Sequence, residues 1–187
     1  MNQWLGDNHG NIGFLTMNIQ VLAAQSSDKP LMANLLELYL HDFSEFVPND
    51  IGEDGRFGYP YLAAYWQERE RFPFLIRVDT KLAGFALARQ GSLLSGDPNI
   101  MDMAEFFILR RWRRCGIGRT AAHALFQYFP GWWEVRVLET NVGALPFWER
   151  TVSAYTKHRF ERTGCVNEGT CWQVFRFEST SEGQQEP

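Results

Sequence analysis

Apolar residues recur along this chain in two rhythms, and the switch between them is clearest from residue 101 to residue 138. Glu105-Phe106-Phe107-Ile108-Leu109 is apolar and β-prone, which predicts a buried strand beginning near Met101. From Gly118 the small and apolar residues fall at 118, 121, 122, 125, 126 and 129, the spacing of a helix with one buried face. Pro130-Gly131 stops that helix, and Trp133 to Leu138 alternates as another strand. Strand, helix and strand in this order imply a parallel pair joined by a right-handed crossover.

The upstream half carries shorter signals. Ile19 to Ala24 reads as a strand, and Asp28 as a cap with Pro30 in the tolerant first turn of a helix. Met32, Leu35, Leu36, Tyr39 and Phe43 give that helix its apolar face, and it ends before Pro48. A loop to Pro60 precedes a second predicted helix, roughly Leu62 to Arg71. Phe74 to Val78 and Leu82 to Ala88 then form two strands around the turn Asp79-Thr80-Lys81. Such short links suit antiparallel pairing. The expected fold class is α+β: a mixed, mostly antiparallel sheet flanked by helices, in one domain over 17–178. Residues 1–16 and 179–187 read as loosely ordered tails.

Composition narrows the functional classes. The 187 residues suit one domain, and 45% hydrophobic with 15% aromatic residues describes a globular protein. A formal net charge of -4 argues against a nucleic-acid partner. No apolar run is long enough to span a bilayer, and the N-terminus lacks a basic region followed by an apolar stretch, so no membrane partner is expected. Cys115, Cys165 and Cys171 form neither a disulfide framework nor a metal-like spacing, which suits a cytoplasmic setting. His41, His123 and His158 stand apart, so no metal site is expected, and His123 falls on the polar face of its helix.

Between the central strand and helix runs Arg110-Arg111-Trp112-Arg113-Arg114-Cys115-Gly116-Ile117-Gly118-Arg119. A strand, a basic glycine-bearing turn and a helix make an anion cradle. The first helical N–H groups lack partners and carry the positive end of the macrodipole. Glycines let a ligand approach, and arginines attract phosphate. No Gly-Lys-Ser/Thr closes the turn, and the spacing is not that of a dinucleotide fingerprint. Arg113, Arg114 and Arg119 are the candidate phosphate ligands, with Arg110 and Arg111 facing solvent or an outer phosphate. A plain basic surface loop is the alternative.

Arg113-x-x-Gly116-x-Gly118 resembles the Arg/Gln-x-x-Gly-x-Gly/Ala signature of the GCN5-related N-acetyltransferases. Asn141-x-x-Ala144-x-x-Phe147-Trp148 is similar to that family's second motif, Asn-x-x-Ala-x-x-Phe/Leu-Tyr. The resemblance implies an acyl-CoA acyltransferase fold whose parallel strands splay to admit the pantetheine arm. It implies acetyl-CoA as cosubstrate, held by Phe107, Ile108 and Leu109 on the strand and by Arg113, Arg114, Cys115, Gly116, Ile117, Gly118 and Arg119 in the turn. Asn141, Ala144 and Phe147 would complete the site, although Asn141 is equally read as a helix cap and Ala144 and Phe147 as core. The implied activity is N-acetylation of a primary amine, on a small molecule or a protein terminus, by a monomer or homodimer. A non-catalytic acyl-CoA-binding module with the same fold is the alternative.

Three features bear on catalysis. Alternation puts Glu105, Phe107 and Leu109 on one strand face, and a carboxylate among such neighbours needs a partner or a use. The resemblance makes Glu105 the general base, against an edge carboxylate paired with an arginine. Trp148 stands where many relatives have a tyrosine that protonates the departing thiolate, and an indole N–H is a poor acid. The role then passes to Tyr155, read as just past the helix and otherwise a packed strand residue, or to water, or to no group. Finally, Asp42, Glu45, Asp50, Glu53 and Asp54 surround the first helix and its loop, where an acidic wall would attract a cationic acceptor. A solvated loop is the competing reading, and the nearby Tyr39 and Tyr59 would pack substrate or helices.

Overall fold

A computed structural model describes residues 17–167 and 169–180. The expected tail 1–16 and the residues 181–187 lie outside the described residues. The elements in chain order are β1 (Ile19–Ala23), α1 (Lys29–Phe43), β2 (Arg71–Val78), β3 (Lys81–Gln90), β4 (Met101–Ile108), α2 (Ile117–Tyr128), β5 (Gly131–Leu138), α3 (Ala144–Thr156), β6 (Glu161–Asn167) and β7 (Thr170–Ser179). The strands form one sheet in the order β1-β2-β3-β4-β5-β7-β6, and every neighbouring pair is antiparallel except β4–β5. This is the α+β architecture that the sequence pattern implies.

Helices cover the sheet on both faces. Met32, Leu35 and Leu36 of α1 pack with Phe85, Leu87 and Phe107 on one face. Ala122, Leu125 and Phe126 of α2 and Val152 of α3 pack with Trp133, Val135 and Phe175 on the other. Alternation in the strands serves two cores at once, which is why β3 and β4 read as nearly continuous apolar runs.

Four local expectations are corrected. Leu62–Trp66 is a short 3-10 turn and β2 already begins at Arg71, so no α-helix spans 62–71. Asp28 directs its carboxylate to the Gln25 N–H (2.8 Å), serving the 3-10 turn ahead of α1 rather than capping α1 itself. Ser179 ends β7 and is 2% exposed, so the ordered chain reaches past 178. His123 is half-buried between α2 and α3, 2.8 Å from the Thr151 carbonyl, and burial lowers its pKa.

The feature that shapes the site is the central parallel pair. Only Met101↔Trp133 and Asp102↔Glu134 are in register, and beyond them β4 and β5 part. At the same place β4 bulges, because Leu87 faces Glu105 while Ala88 faces Met103, leaving Ala104 without an opposite number. Met103 therefore packs in the α2/α3 core, whereas Phe107 packs beneath α1.

Candidate active site

Where β4 and β5 separate they leave a cavity of about 320 Å³, lined from both faces of the sheet. Phe106, Val137, Ala144 and Trp148 line it on the α3 side. Tyr39, Phe43, Glu105, Arg136 and Trp172 line it on the α1 side. Past Asp102 the edge of β4 that faces β5 has no strand partner, so main-chain groups there are free for something extended lying in the gap.

The basic turn opens beside this gap. A 3-10 turn at Arg110–Trp112 follows β4, pinned by the Trp112 indole donating to the Leu82 carbonyl (3.1 Å). Arg114 (φ 63°) and Gly116 (φ 79°) are left-handed, and α2 starts immediately afterwards. The first helical hydrogen bond runs from the Thr120 N–H to the Gly116 carbonyl (3.1 Å). The N–H groups of Ile117, Gly118 and Arg119 thus have no helical acceptor, at the positive end of the helix. Cys115, Gly116 and Arg119 are exposed, and Ile117 is buried as the anchor of the first turn. Gly118 serves packing: a Cβ there would lie 3.2 Å from the Phe147 ring and 3.4 Å from Ile108 Cγ1. Phe147 itself stacks on Phe106 across the gap's α3 wall.

Not every predicted cofactor residue is free to serve. Arg113 donates through Nε to the Ile108 carbonyl (2.7 Å) and through Nη2 to Asp42 (2.7 Å), and its guanidinium lies over the Phe107 ring. Arg110 also binds Asp42 (2.6 Å), so neither side chain is an unpaired phosphate ligand. Leu109 gives its N–H to the Ala83 carbonyl (2.9 Å) and accepts from Trp112, which leaves its main chain no group for a cofactor. Arg111, Arg114 and Arg119 make no ion pair among the described residues; Arg111 lies over the Trp112 ring, and all three are open to an anion at this turn. Asn141 is first of all a cap: its Oδ1 accepts the Ala144 N–H (3.0 Å) at the start of α3. It also lines the cavity, and its Nδ2 has no partner among the described residues.

Glu105 sits at the α1 side of the gap. Its carboxylate accepts hydrogen bonds from Tyr39 (2.5 Å) and Tyr59 (3.0 Å). Tyr39 comes from the middle of α1. Tyr59 is brought in because Glu37, on the same helix, accepts the N–H groups of Phe57 (2.8 Å) and Gly58 (3.1 Å) and so pins the preceding loop. Burial raises the Glu105 pKa from 4.5 to about 7, against the opposing pull of the two tyrosine hydrogen bonds. Burial and the neighbouring Glu105 carboxylate hold both tyrosine hydroxyls well above their usual range, so they act as hydrogen-bond donors rather than acids. The sequence marks both tyrosines only as groups that pack substrate or helices, and gives Arg136 and Trp172 no role. They lie far from Glu105 in sequence and only the fold brings them together.

Two further expectations change, and Trp148 is placed. Tyr155 belongs to α3, not to a strand, and its hydroxyl bonds Ser179 Oγ (2.7 Å) among Phe126, His123 and Phe177, away from the cavity. It packs against the core and does not line the cavity. Trp148 is 6% exposed and lines the cavity with its indole packed on Phe106 and Phe147. The acidic wall does not form at the cavity. Asp42 is paired with Arg110 and Arg113, whose hydrogen bonds outweigh burial and lower its pKa, and Glu45, Asp50, Glu53 and Asp54 are exposed and line no part of it.

The model of the acetyltransferase (GNAT) family matches residues 32–152. The chain belongs to the GNAT family. That match takes in the turn, the β4–β5 gap and Glu105. No curated protein matches the sequence. Solved GNAT structures share the fold at low identity. An acetyltransferase from Thermus thermophilus aligns with a TM-score of 0.63 at 15% identity, over 86% of this chain and 96% of its own. The ribosomal-protein-S18-alanine N-acetyltransferase of Escherichia coli gives 0.59 at 12% identity, over 91% and 99%. The spermidine N-acetyltransferase of Vibrio cholerae, solved with CoA and spermine, gives 0.60 at 13% identity, over 86% and 95%. Among the described residues of this GNAT chain, no helix is long and apolar enough to cross a membrane, and no cluster of His, Cys, Asp or Glu could hold a metal ion.

Proposed function

We propose that this GNAT protein moves the acetyl group of acetyl-CoA to a primary amine by direct attack, with Glu105 as general base. The observation that carries the reading is the position of the Glu105 carboxylate, in the gap between β4 and β5 and within the family-matched segment. The other parts of the site are consistent with it. The unpartnered N–H groups at the start of α2, with Arg114 and Arg119, suit the CoA pyrophosphate. The unpaired edge of β4 suits the pantetheine amides and can polarise the thioester carbonyl.

An alkylammonium must lose a proton before its nitrogen can attack, and a carboxyl near pH 7 is matched to that task. The amine nitrogen then bonds the acetyl carbon as the carbon–sulfur bond breaks, and the nitrogen's second proton leaves to water, or to Glu105 once that carboxyl has passed its first proton to the thiolate. Trp148 offers no acid, and Tyr155 does not line the cavity. The proton taken up by Glu105 can meet the departing thiolate, so one carboxyl serves as base and then as acid. Tyr39 and Tyr59 hold that carboxyl in place.

The test is amine-dependent release of free thiol from acetyl-CoA across a panel of amino acids, polyamines, aminoglycosides and peptides. Thiol release that requires the amine supports the reading. A protein that binds acetyl-CoA yet releases no thiol with any amine from neutral to alkaline pH is a binding module.

A further inference from the structure

The α1 side of the cavity contains an arginine that the proposed chemistry does not use. Asp102 is fully buried, and it is shared by two guanidinium groups. Arg89 donates to its Oδ2 (3.0 Å), and Arg136 donates to Oδ1 (3.2 Å) and Oδ2 (3.1 Å). The next carboxylate on the same face, Glu134, accepts from Ser92 Oγ (2.7 Å) and stands opposite Arg176 in the β5–β7 register. With Glu105 on the same side of the sheet, three guanidinium groups face three carboxylates, so this face carries no excess charge of either sign. Arg136 makes no ion pair with Glu105, whose two oxygens are occupied by Tyr39 and Tyr59.

The Arg136 side chain is only 12% exposed, yet it lines the cavity beside Glu105. Its Nη1 has no partner among the described residues. A mostly buried guanidinium with an unused donor edge carries a desolvation cost that an incoming anion would relieve. The plane is fixed from both sides, by the Asp102 fork beneath it and by the Trp172 ring at 5.5 Å. Fixed planarity favours a carboxylate over a diffuse cation-seeking contact. The rest of this wall, Tyr39, Leu40, Phe43 and Trp172, is aromatic or aliphatic and suits an apolar substituent.

We infer that the acceptor is an amino acid whose carboxylate is received by Arg136 while its amine faces Glu105, an apolar side chain lying against Phe43 and Trp172. This rests on the acetyltransferase reading above and deepens it by naming the acceptor class. Polycationic acceptors find no acidic wall here, because Glu45, Asp50, Glu53 and Asp54 line no part of the cavity and Asp42 is paired with Arg110 and Arg113.

The experiment compares matched pairs that differ only in the carboxylate: phenylalanine with phenethylamine, tryptophan with tryptamine, methionine with 3-(methylthio)propylamine. Binding to the CoA-saturated protein is measured by calorimetry, and turnover with acetyl-CoA by thiol release. The amino acids should bind about tenfold or more tightly than their decarboxylated partners, the range of one charge-assisted hydrogen-bonded pair. Arg136→Gln should abolish that preference, chiefly through KM, with CoA affinity unchanged, and Arg136→Lys should keep it. The wild-type comparison stands even if the Gln variant does not fold. Equal or tighter binding of the decarboxylated amines overturns the inference, as does the absence of amino-acid binding at millimolar concentrations. Thiol release with the bare amines preferred would sink this inference and leave the acetyltransferase reading intact. Selective amino-acid binding without thiol release would keep Arg136 as a carboxylate site but overturn the acetyltransferase reading, and with it the acceptor role.

Discussion

Exchanging Glu105 for glutamine separates a catalytic carboxyl from a structural one, because the two roles predict opposite signs. The ordinary pKa of 4.5 and the buried value of about 7 differ by an amount equivalent to about 3 kcal/mol. The group's pKa is raised on folding, so its favourable state is the protonated one. That stability is fully present below 4.5 and lost as pH rises through 7. Glutamine matches the neutral form and can still meet both tyrosines, its oxygen accepting from one and its amide donating to the other. At pH 8 the Glu105→Gln protein should therefore melt several degrees above the wild type, reflecting up to about 3 kcal/mol, and near pH 4.5 the difference should vanish. Turnover should move the other way. The kcat/KM of the wild type should climb through an inflection near pH 7, as the carboxylate forms. The variant should be slower by about a hundredfold and lack that inflection, keeping only the rise due to the amine itself. Thermal melts and thiol-release rates from pH 5 to 9, with CoA affinity as control, read both effects. A variant that is less stable at pH 8 and turns over like the wild type would show that Glu105 is merely structural.

Gly116→Val should fold but lose most of its CoA affinity by calorimetry, because a β-branched residue resists the φ of 79° that presents the α2 N–H groups. Wild-type affinity in that folded variant would remove the cradle from the site. Trp148→Phe should keep turnover within about tenfold of the wild type, since the indole is no proton donor. Tyr155→Phe, which removes a hydroxyl bonded to Ser179, should lower stability by about 1 kcal/mol with unchanged turnover per folded molecule. Gly84→Ala should be costly, at least about 2 kcal/mol in denaturant titration, because its Cβ would fall 2.1 Å from the Phe107 carbonyl oxygen.

The parts of the fold that were legible in the sequence are those where a local pattern decides the outcome. The change from continuous apolar residues to helical spacing between 101 and 138 marks β4, α2 and β5 almost to the residue. Leu62–Arg71 misled because Leu-Ala-Ala-Tyr-Trp is helix-prone, whereas pairing with β1 and β3 draws the following residues, Pro73 included, into β2. β6 and β7 have no counterpart among the predicted strands, since Gly164 and Gln173 interrupt any clean alternation. Tyr155 was misplaced by a helix boundary: α3 runs on to Thr156. At the site, Glu105 and the turn were legible as motifs. Its partners were not, since Tyr39 and Tyr59 lie 66 and 46 residues from Glu105. Asp42 shows the same limit from the other side: an acidic residue suited to a substrate wall proves to neutralise Arg110 and Arg113.

One extra residue in β4 ties these observations together. A strand with strict alternation would place Glu105 on the face of Met103, inside the apolar α2/α3 core, where an ionisable group has no partner. The bulge at Ala104 reverses the facing, so Glu105 joins Asp102 on the α1 side, where Tyr39, Tyr59 and Arg136 are waiting. A bulge also bends its strand and sharpens the local twist. Pairing between β4 and β5 stops at Asp102, two residues before it, so the irregularity that turns the carboxyl toward an acceptor coincides with the opening of the gap. Asp102 then closes the unsplayed end, tying β3 to β5 through Arg89 and Arg136. The same carboxylate that holds the base of the gap shut orients the arginine at its wall. If Arg136 receives the acceptor as proposed, its orientation and the closed end of the gap share one buried carboxylate, and a change at Asp102 should disturb both together.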